Sequence, residues 1–347
     1  MKSKCPDTVV LVFLATASGG CLSAQESGGR GPRVEDVRSA LSVLAADSLM
    51  GRRTGSAGAA QAAAFIAAQL ESFGIEPAGD SGYFQRVPMV GVTRDGRRRV
   101  ELLPSWSDLD TVPAERRLGD VNVVGLIRGR DPVLRNEAVV IGAHHDHIGV
   151  GRPVDGDSIY NGADDDASGV VAVLEIARYL ARGDGPRRTV VFLFSTGEEM
   201  GLVGTRWYLR HPVVPLDRTV ADLQVEMIGR PDSLAGGVGR AWLTGYERST
   251  MGDMLRDAGN PIVPDPRPEE GFFMRSDNFP FAVEGIPAHT LSSYNMHTDY
   301  HRPSDEVDLI DFEHMTKVIE AAIQAVELLA NGEKPEWHPG GRPERRR

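Results

Sequence analysis

Four short segments concentrate the side chains that bind metal ions or transfer protons. They are GAHHDHIG at 142–149, NGADDDASG at 161–169, STGEE at 195–199 and MHTDYHRPSD at 296–305. Imidazole is the commonest metal ligand among side chains, and carboxylates join it in zinc sites. Three of the chain's nine histidines fall within four consecutive positions, 144–147, of the first segment. The pattern predicts a metal-dependent hydrolase.

The spacing within these segments suggests separate chemical roles. His144 is followed at two residues by Asp146, a carboxylate that can fix the orientation of a metal-binding imidazole. The three carboxylates at 164–166 repel one another unless a cation compensates them, and one of them could bridge two metals. Glu198 and Glu199 follow an apolar run, so one can bind a metal while its neighbour acts as a general base on water.

A lone glutamate and the fourth segment supply the remaining candidate ligands. Glu226 is a charged residue at the end of the apolar run LQV. The segment 296–305 contains His297, Asp299, Tyr300 and His301. A single glutamate or histidine at such a position is common without any metal, so these residues gain weight only together with the other segments.

Hydrophobic periodicity predicts the elements that position these residues. Helices are expected at 34–46, 57–73, 202–210 and 312–330, and a further helix is expected to begin at Asp166 or Ser168 and to be ended by 183–186. Strands are expected at 123–127, 138–143, 189–194, 223–228, 241–244 and 288–292. Most of the metal-type segments follow a strand, and ligands bind at the carboxyl ends of strands in open α/β sheets. We therefore expect an α/β fold whose central sheet is mixed, mostly parallel, and flanked by helices on both faces.

The first 24 residues have the pattern of a secretory signal peptide. Lys2 and Lys4 precede a short apolar stretch, and Ala24 ends a possible cleavage site. A flexible lead-in is expected over 25–32, a single domain that carries the metal-dependent hydrolase over 33–332, and a disordered tail over 333–347. The chain is expected to be exported, either to the periplasm or as a secreted protein.

Both cysteines, Cys5 and Cys21, lie within this leader. The residues before Cys21 weakly resemble a bacterial lipoprotein cleavage box, so a lipid anchor at Cys21 is an alternative to soluble export. No other segment is apolar for 18 residues, and we expect no transmembrane segment in the mature protein. The net charge of −11 argues against nucleic acid as a partner.

Taken together and in order, the segments resemble family twenty-eight of the metallopeptidases, the co-catalytic zinc aminopeptidases related to bacterial leucyl aminopeptidase and aminopeptidase Y. The matching text is GAHHDHIG, NGADDDASGVVAVLEIAR, FLFSTGEEMGLVGTRWYL, QVEMIGR, RSDNFPFAVEGIPA and DYHRPSD, and LAADSLMGRRTGSAG resembles the family's entry segment. The resemblance covers nearly the whole mature chain. It implies two zinc ions per chain and peptide substrates with a free N-terminus.

The resemblance also implies a role for each matching residue. The expected metal ligands are His144, Asp165, Glu199, Glu226 and His301. His144 and Glu226 would bind one metal, Glu199 and His301 the other, and Asp165 would bridge them, with a cis peptide often following this position. Glu198 would be the general base that takes a proton from the metal-bound water, Asp146 would orient His144, and Tyr300 would stabilise the oxyanion.

Three positions depart from the family pattern. Glu226 stands where aspartate is usual, so the spacing or relative affinity of the metals is expected to differ. His145 replaces a common tyrosine, which we read as harmless. Asn278 stands where the family often has histidine, which puts a substrate contact there in doubt.

Other functions on the same scaffold remain open from sequence. A carboxypeptidase or deacylase would use the same metals, and a glutaminyl cyclase would use one zinc and a cyclising amine. A non-enzyme alternative is a catalytically dead binding module, but such relatives lose ligands, and all are present here. Side-chain preference, physiological substrate and oligomeric state are not determined by the sequence.

Overall fold

The structure of the chain, a computed structural model, describes residues 30–94 and 97–344. The predicted signal peptide and Cys21 lie outside these residues. No helix in the described part is long and apolar enough to cross a membrane.

One large sheet contains most of the described strands. The strands are β1 (Glu76–Pro77), β2 (Phe84–Arg94), β3 (Arg97–Leu102), β4 (Arg117–Ile127), β5 (Ala138–His144), β6 (Gly149–Val154), β7 (Asp157–Tyr160), β8 (Thr189–Ser195), β9 (Thr219–Val225), β10 (Ala241–Leu243), β11 (Ile262–Pro264) and β12 (Ala288–Ser292). The large sheet has the order β11-β10-β12-β9-β5-β8-β4-β2-β3, with β1 beside β4. β6 and β7 form a separate two-stranded sheet.

The sheet is mixed, as expected, and parallel pairing is concentrated at its centre. β12, β9, β5 and β8 are parallel neighbours, and every residue of β5 and β8 is buried, which is typical of strands covered on both faces. Among the described strands of the large sheet, however, four neighbouring pairs are parallel and five antiparallel. The expectation of a mostly parallel sheet is therefore correct only for the centre. Two residues separate β2 from β3, too few for a parallel crossover.

Helices cover both faces of the sheet. They are α1 (Val34–Leu44), α2 (Ala57–Ser72), α3 (Gly169–Ala181), α4 (Val203–Arg210), α5 (Thr250–Asp257), α6 (Asn278–Glu284) and α7 (Phe312–Asn331). Phe192 and Phe194 of β8 pack in the core beneath α1, α2, α3 and α7, whereas Val191 and Leu193 pack in the core beneath α4 and α6. Alternate residues of one strand thus serve opposite layers.

The C-terminal segment differs from the expected disordered tail. The indole nitrogen of Trp337 donates a hydrogen bond to the Gly285 carbonyl at 2.9 Å, and the residue forms a β-bridge with Ser249. Its ring packs in the core beneath α6. Residues 333–344 are therefore attached to the domain, because one large aromatic side chain outweighs a polar, Gly- and Pro-rich sequence.

Candidate metal centre

Adjacent parallel strands bring two of the four chemical segments, and Glu226, to one edge of the sheet. β5 ends at His144, β8 ends at Ser195 just before Glu198 and Glu199, and β9 ends just before Glu226. Since β9, β5 and β8 are parallel neighbours, their carboxyl ends meet. Because each of these ligands lies at or just after the end of a parallel strand, the site lies at the carboxyl edge of the sheet.

The remaining ligands come from two loops at the same edge. Asp165 lies in an irregular turn, Ala163–Ser168, that leads into α3, and its peptide bond to Asp166 is cis, as the resemblance implies. His301 lies in the loop between β12 and α7. All five predicted ligands meet in space, and their role as ligands stays a prediction that is taken up below.

The first group of ligand atoms contains His144, Asp165 and Glu226. The Nε2 atom of His144 lies 3.2 Å from Asp165 Oδ1 and 3.7 Å from Glu226 Oε1. On the other side of the ring, His144 Nδ1 lies 3.0 Å from the main-chain oxygen of Asp146. A proton on Nδ1 donated to that carbonyl leaves the Nε2 lone pair facing the carboxylates.

The second group contains Asp165, Glu199, His301 and a further residue, His147. His301 Nε2 lies 3.1 Å from both Asp165 Oδ2 and Glu199 Oε1. Asp165 therefore presents one oxygen to each group, which is the arrangement expected of a bridging ligand. His147 was not selected from the sequence; the signal was its place in the HHDH run, three residues after His144.

The three consecutive aspartates divide into one that faces the ligand groups and two that hold the surrounding loops. Asp164 accepts hydrogen bonds from the Gly229 amide at 2.6 Å and from the Ser168 hydroxyl at 3.3 Å. Asp166 accepts the amides of His144, Gly169 and Met227 at 3.0–3.3 Å. Only Asp165 points both oxygens at the imidazoles.

Asp146 connects the first histidine to the expected base. Its carboxylate accepts the Thr54 hydroxyl at 2.8 Å and the Glu198 amide at 3.1 Å, and it lies 3.7 Å from His144 Nδ1. The Asp146 carbonyl oxygen, rather than the carboxylate, accepts the direct hydrogen bond from the imidazole of His144. The residue therefore contacts His144 as expected, but chiefly through its main chain, and it also fixes the backbone of Glu198.

The environment changes the pKa of both residues expected to act on substrate. Burial, together with the charges of Glu226 and other carboxylates, raises the pKa of Glu198 against the opposing effect of His144. Burial and the nearby carboxylates of Asp165 and Glu199 also raise the pKa of Tyr300, whose ring stacks on His301 at 3.9 Å between centroids. Tyr300 therefore keeps its phenolic proton, and cations at the ligand groups would offset the charges that hold a proton on Glu198.

Unpaired polar atoms test whether these residues fit a metal. The atoms His144 Nε2, His147 Nδ1, His301 Nε2 and Glu199 Oε1 are buried and have no hydrogen-bond partner among the described residues. Unpaired buried polar atoms are costly, so the one in the first group and the three that lie together in the second indicate a missing partner of opposite character. Mixed imidazole and carboxylate donors suit zinc. The residues present therefore fit zinc at both groups.

A pocket opens beside the two groups. Its walls include Glu198, Glu226 and Tyr300, and its apolar side is formed by Trp242, Phe272 and Tyr294. Of the three consecutive apolar residues at 272–274, one belongs to this pocket. Only the first lines it, since the second packs in the core with α6 and the third is exposed.

Two supporting residues were not recognised from the sequence. Arg52 is buried and donates to the carbonyls of Leu44, His145, Asn161 and Gly162 at 2.6–3.0 Å. It thereby ties α1 to both ligand loops. The only sequence signal for Arg52 was its place in the segment LAADSLMGRRTGSAG, where Arg53 follows it directly.

Asp305 supports the bridging ligand from the opposite side. Its carboxylate accepts the amides of Asp164 and Asp165 at 3.1 Å, and Arg230 lies 3.3 Å from it. The backbone of Asp165 is thus fixed by a residue 140 positions away. The motif DYHRPSD contains Asp305, but its spacing alone gives no hint of that partner.

Comparison with known proteins decides the family. The model of Peptidase family M28 matches residues 122–326, more than half of the chain. The chain belongs to peptidase family M28. A solved aminopeptidase from Aneurinibacillus sp. strain AM-1 superposes with a TM-score of 0.61 over 90% of this chain and 98% of that one, at 18% identity. At this identity the likeness shows a shared fold.

Two curated relatives are longer proteins than this chain. The chain is 28% identical to a vacuolar membrane protease of Sclerotinia sclerotiorum over 61% of its own length and 18% of that protein. It is 29% identical to the probable leucine aminopeptidase 2 of Aspergillus oryzae over 60% of its own length and 41% of that protein. The chain thus spans less than half the length of these relatives.

Proposed function

We propose that this M28 chain is a di-zinc metallopeptidase that acts as an aminopeptidase on peptides with a free N-terminus. The observation that carries the proposal is the pair of ligand groups that share Asp165, one oxygen to each, beside the Glu198 carboxylate. Membership of the family and the names of the relatives support the same reaction class.

Zinc would be held by His144, Asp165 and Glu226 in the first group and by Asp165, Glu199 and His301 in the second. Bound zinc would supply an acidified water molecule and a Lewis acid for the scissile carbonyl. Every other task falls to the chain's own residues.

Glu198 is the proton carrier in this proposal. Its carboxylate lines the pocket next to both ligand groups, and its backbone is fixed by the bond from its amide to Asp146. It takes a proton from water and returns it to the leaving amine. Tyr300 lines the same pocket and keeps its phenolic proton, so it can donate a hydrogen bond to the oxyanion.

The charges of the pocket favour a substrate ammonium. Zinc would offset the charges of Asp165 and Glu226, which leaves Glu198 as the acidic group of the pocket that an N-terminal amine can approach. Arg275 also lines the pocket and is exposed, which favours a carboxypeptidase as second candidate, because its guanidinium can bind a substrate carboxylate. Cleavage of free and N-blocked aminoacyl-anilides separates the two, since only an aminopeptidase requires the free amine.

A pair of neighbouring glutamate variants tests the assignment. We expect Glu198→Gln to keep two zinc ions per chain and to lower kcat at least about 10²-fold, because the base is lost but no ligand is. Glu199→Gln should instead lose zinc. The measurements are zinc content by mass spectrometry and anilide hydrolysis with and without chelator. Full activity in Glu198→Gln, or a wild-type chain active in chelator, would exclude the mechanism.

We also propose that the chain is exported, on the strength of its leader. Cleavage after Ala24 would leave Gln25 at the N-terminus, whereas a lipid anchor would leave a modified Cys21. Mass spectrometry of the N-terminal peptide distinguishes these products, and an intact Met1 would exclude both.

A further inference from the structure

The ring of His147 lies inside the second ligand group. The residue is 1% exposed, and its Nδ1 atom lies 2.9 Å from Glu199 Oε1 and 3.7 Å from Asp165 Oδ2. With His301, these residues bring four possible ligand atoms within 4.8 Å of one another. The first group offers only three such residues.

The distances within the second group match those of a tetrahedral zinc site. Zinc bonds of about 2.0–2.1 Å place neighbouring ligand atoms roughly 3.3 Å apart. The four separations given for this group are 2.9, 3.1, 3.1 and 3.7 Å, scattered about that value. His147 contributes two of them, so it belongs to the same polyhedron as the other three.

A hydrogen-bonding role alone does not account for this position. Although His147 Nδ1 is close to Glu199, neither ring nitrogen makes a hydrogen bond to any described residue. The short distance without bonding geometry indicates that both atoms face a common point between them. Two ligands directed at one ion produce this arrangement.

The surrounding backbone holds the imidazole in place. The amide of His147 donates to the Arg52 carbonyl at 3.2 Å. Gly162 has a φ of +58°, and a Cβ there would lie 2.6 Å from the ring's Cδ2 atom. Only glycine therefore lets the loop before Asp165 pack against this ring.

We propose that His147 is a fourth protein ligand of the second site. The inference rests on the zinc centre of the proposed function and extends it. Four protein ligands close a tetrahedral shell, whereas three leave a position open for water or substrate. The second site then fills first and keeps its zinc, and the first site, built from His144, Asp165 and Glu226, holds the exchangeable ion.

Chelator competition on the purified chain tests the order of the sites. We expect zinc to leave the wild-type chain in two steps of different affinity. His147→Ala and His147→Asn should both weaken the tighter step at least about 10²-fold, since loss of a partner outside the ligand shell already costs 10–100-fold. The weaker step should stay within about threefold in both variants, since its ligands are intact.

The choice of variants separates a ligand from a supporting donor. Asparagine places an amide N–H near the position of Nδ1, so it can still donate to Glu199 but binds zinc poorly. Unchanged tight binding in His147→Asn, with loss only in His147→Ala, would overturn the proposal in favour of a hydrogen-bonding role. Unchanged binding in both would overturn it outright.

His145, two residues before His147, provides a matched control. It is equally buried, and its Nε2 atom lies 3.0 Å from the Val121 carbonyl rather than in a ligand group. Glutamine can keep a bond to that carbonyl. His145→Gln should leave both zinc steps within about twofold of wild type, as expected of a residue outside the ligand shell.

A measurement on the wild-type chain tests the ligand role of His147 even if the variants fail to fold. With cobalt in both sites, each bound imidazole that keeps an N–H gives one solvent-exchangeable, paramagnetically shifted proton signal. We expect three signals, from His144, His147 and His301, and two would overturn the ligand role. Two bound metals with two signals refute only this inference, whereas a chain that binds no metal refutes the proposed function with it.

Discussion

Asp165 and Asp166 are adjacent, buried and chemically identical, but different groups face them. Asp165 faces the imidazoles of His144 and His301, and Asp166 faces backbone amides. The irregular turn between Ala163 and Ser168 directs the two side chains apart. Their contributions to metal binding and to stability should therefore separate.

The matched variants Asp165→Asn and Asp166→Asn test this separation. Asp165→Asn should bind less than one zinc per chain, because the shared ligand is lost. Asp166→Asn should lower the free energy of unfolding in chelator by about 2 kcal/mol, since one amide of its three loses its acceptor and meets an NH₂ group. Denaturant unfolding and zinc analysis measure the two effects, and equal losses of zinc by both variants would contradict the division.

The five expected ligands and the expected base could be predicted from the sequence, whereas His147 and Arg52 could not. Histidines, aspartates and glutamates next to strand ends carry a recognisable chemistry. His147 and Arg52 carry equally suitable chemistry, but each stands beside a residue of the same type, His145 or Arg53 in the near sequence. Only the fold decides which of the two takes part: His145 is as buried as His147 but lies outside the ligand groups, and Arg53 is exposed whereas Arg52 is buried.

Among the elements, the segment between α1 and α2 gives the clearest case of long-range positioning. Arg52 uses one buried guanidinium to bond four carbonyls from three separate stretches of chain. The neighbouring Arg53 is exposed and lies 3.4 Å from the Ile148 carbonyl. Arg53 is therefore a matched control for substitution of Arg52.

We expect Arg52→Lys to lower the free energy of unfolding by about 3 kcal/mol, because an ammonium cannot reach all four carbonyls and leaves buried acceptors unpaired. Arg53→Lys should change it by less than about 0.5 kcal/mol, as is usual for an exposed side chain. Denaturant unfolding of both proteins gives the comparison. A similar loss in the two variants would show that Arg52 does not hold the loops.

Periodicity predicted the long elements well and their ends less well. The buried strand β8 and helix α3 were predicted at almost their observed positions, because an apolar run or stripe is a strong signal. The strand expected to reach residue 228 ends at Val225 instead. The amides of Met227 and Ile228 bond to Asp166 and Ser168 rather than to a neighbouring strand. That competition comes from another part of the chain and leaves no local pattern.

For the molecule as a whole, residues 333–344 show a similar limit of composition. Their Gly, Pro and charged residues predict disorder, but Trp337 packs against Phe273 and His289 at ring distances of 6.5 and 5.8 Å. We expect Trp337→Ala to lower the free energy of unfolding by about 2 kcal/mol, through lost aromatic burial and one lost hydrogen bond. Thermal unfolding measures the effect, and an unchanged midpoint would mean that the segment adds nothing to stability.

Because His289 is buried beneath that segment, we expect the free energy of unfolding to depend on pH. Burial lowers its pKa to about 4, and its two ring nitrogens bond to Thr244 and Ser249. An unfolded histidine has a pKa near 6.5. Between these values the unfolded chain binds a proton that the folded chain excludes, so stability falls as the pH falls.

A histidine-free variant at this position isolates the effect. Relative to His289→Gln, the wild-type free energy of unfolding should decline by about 1.4 kcal/mol per pH unit below pH 6.5, to a total of about 3 kcal/mol near pH 4. Both proteins are unfolded with denaturant in chelator, so loss of metal contributes equally to each. His314, whose pKa burial also lowers to about 4, is present in both and cancels. Parallel stability curves would show that His289 is protonated in the folded chain, and the buried contact with Trp337 would then have to admit a charge.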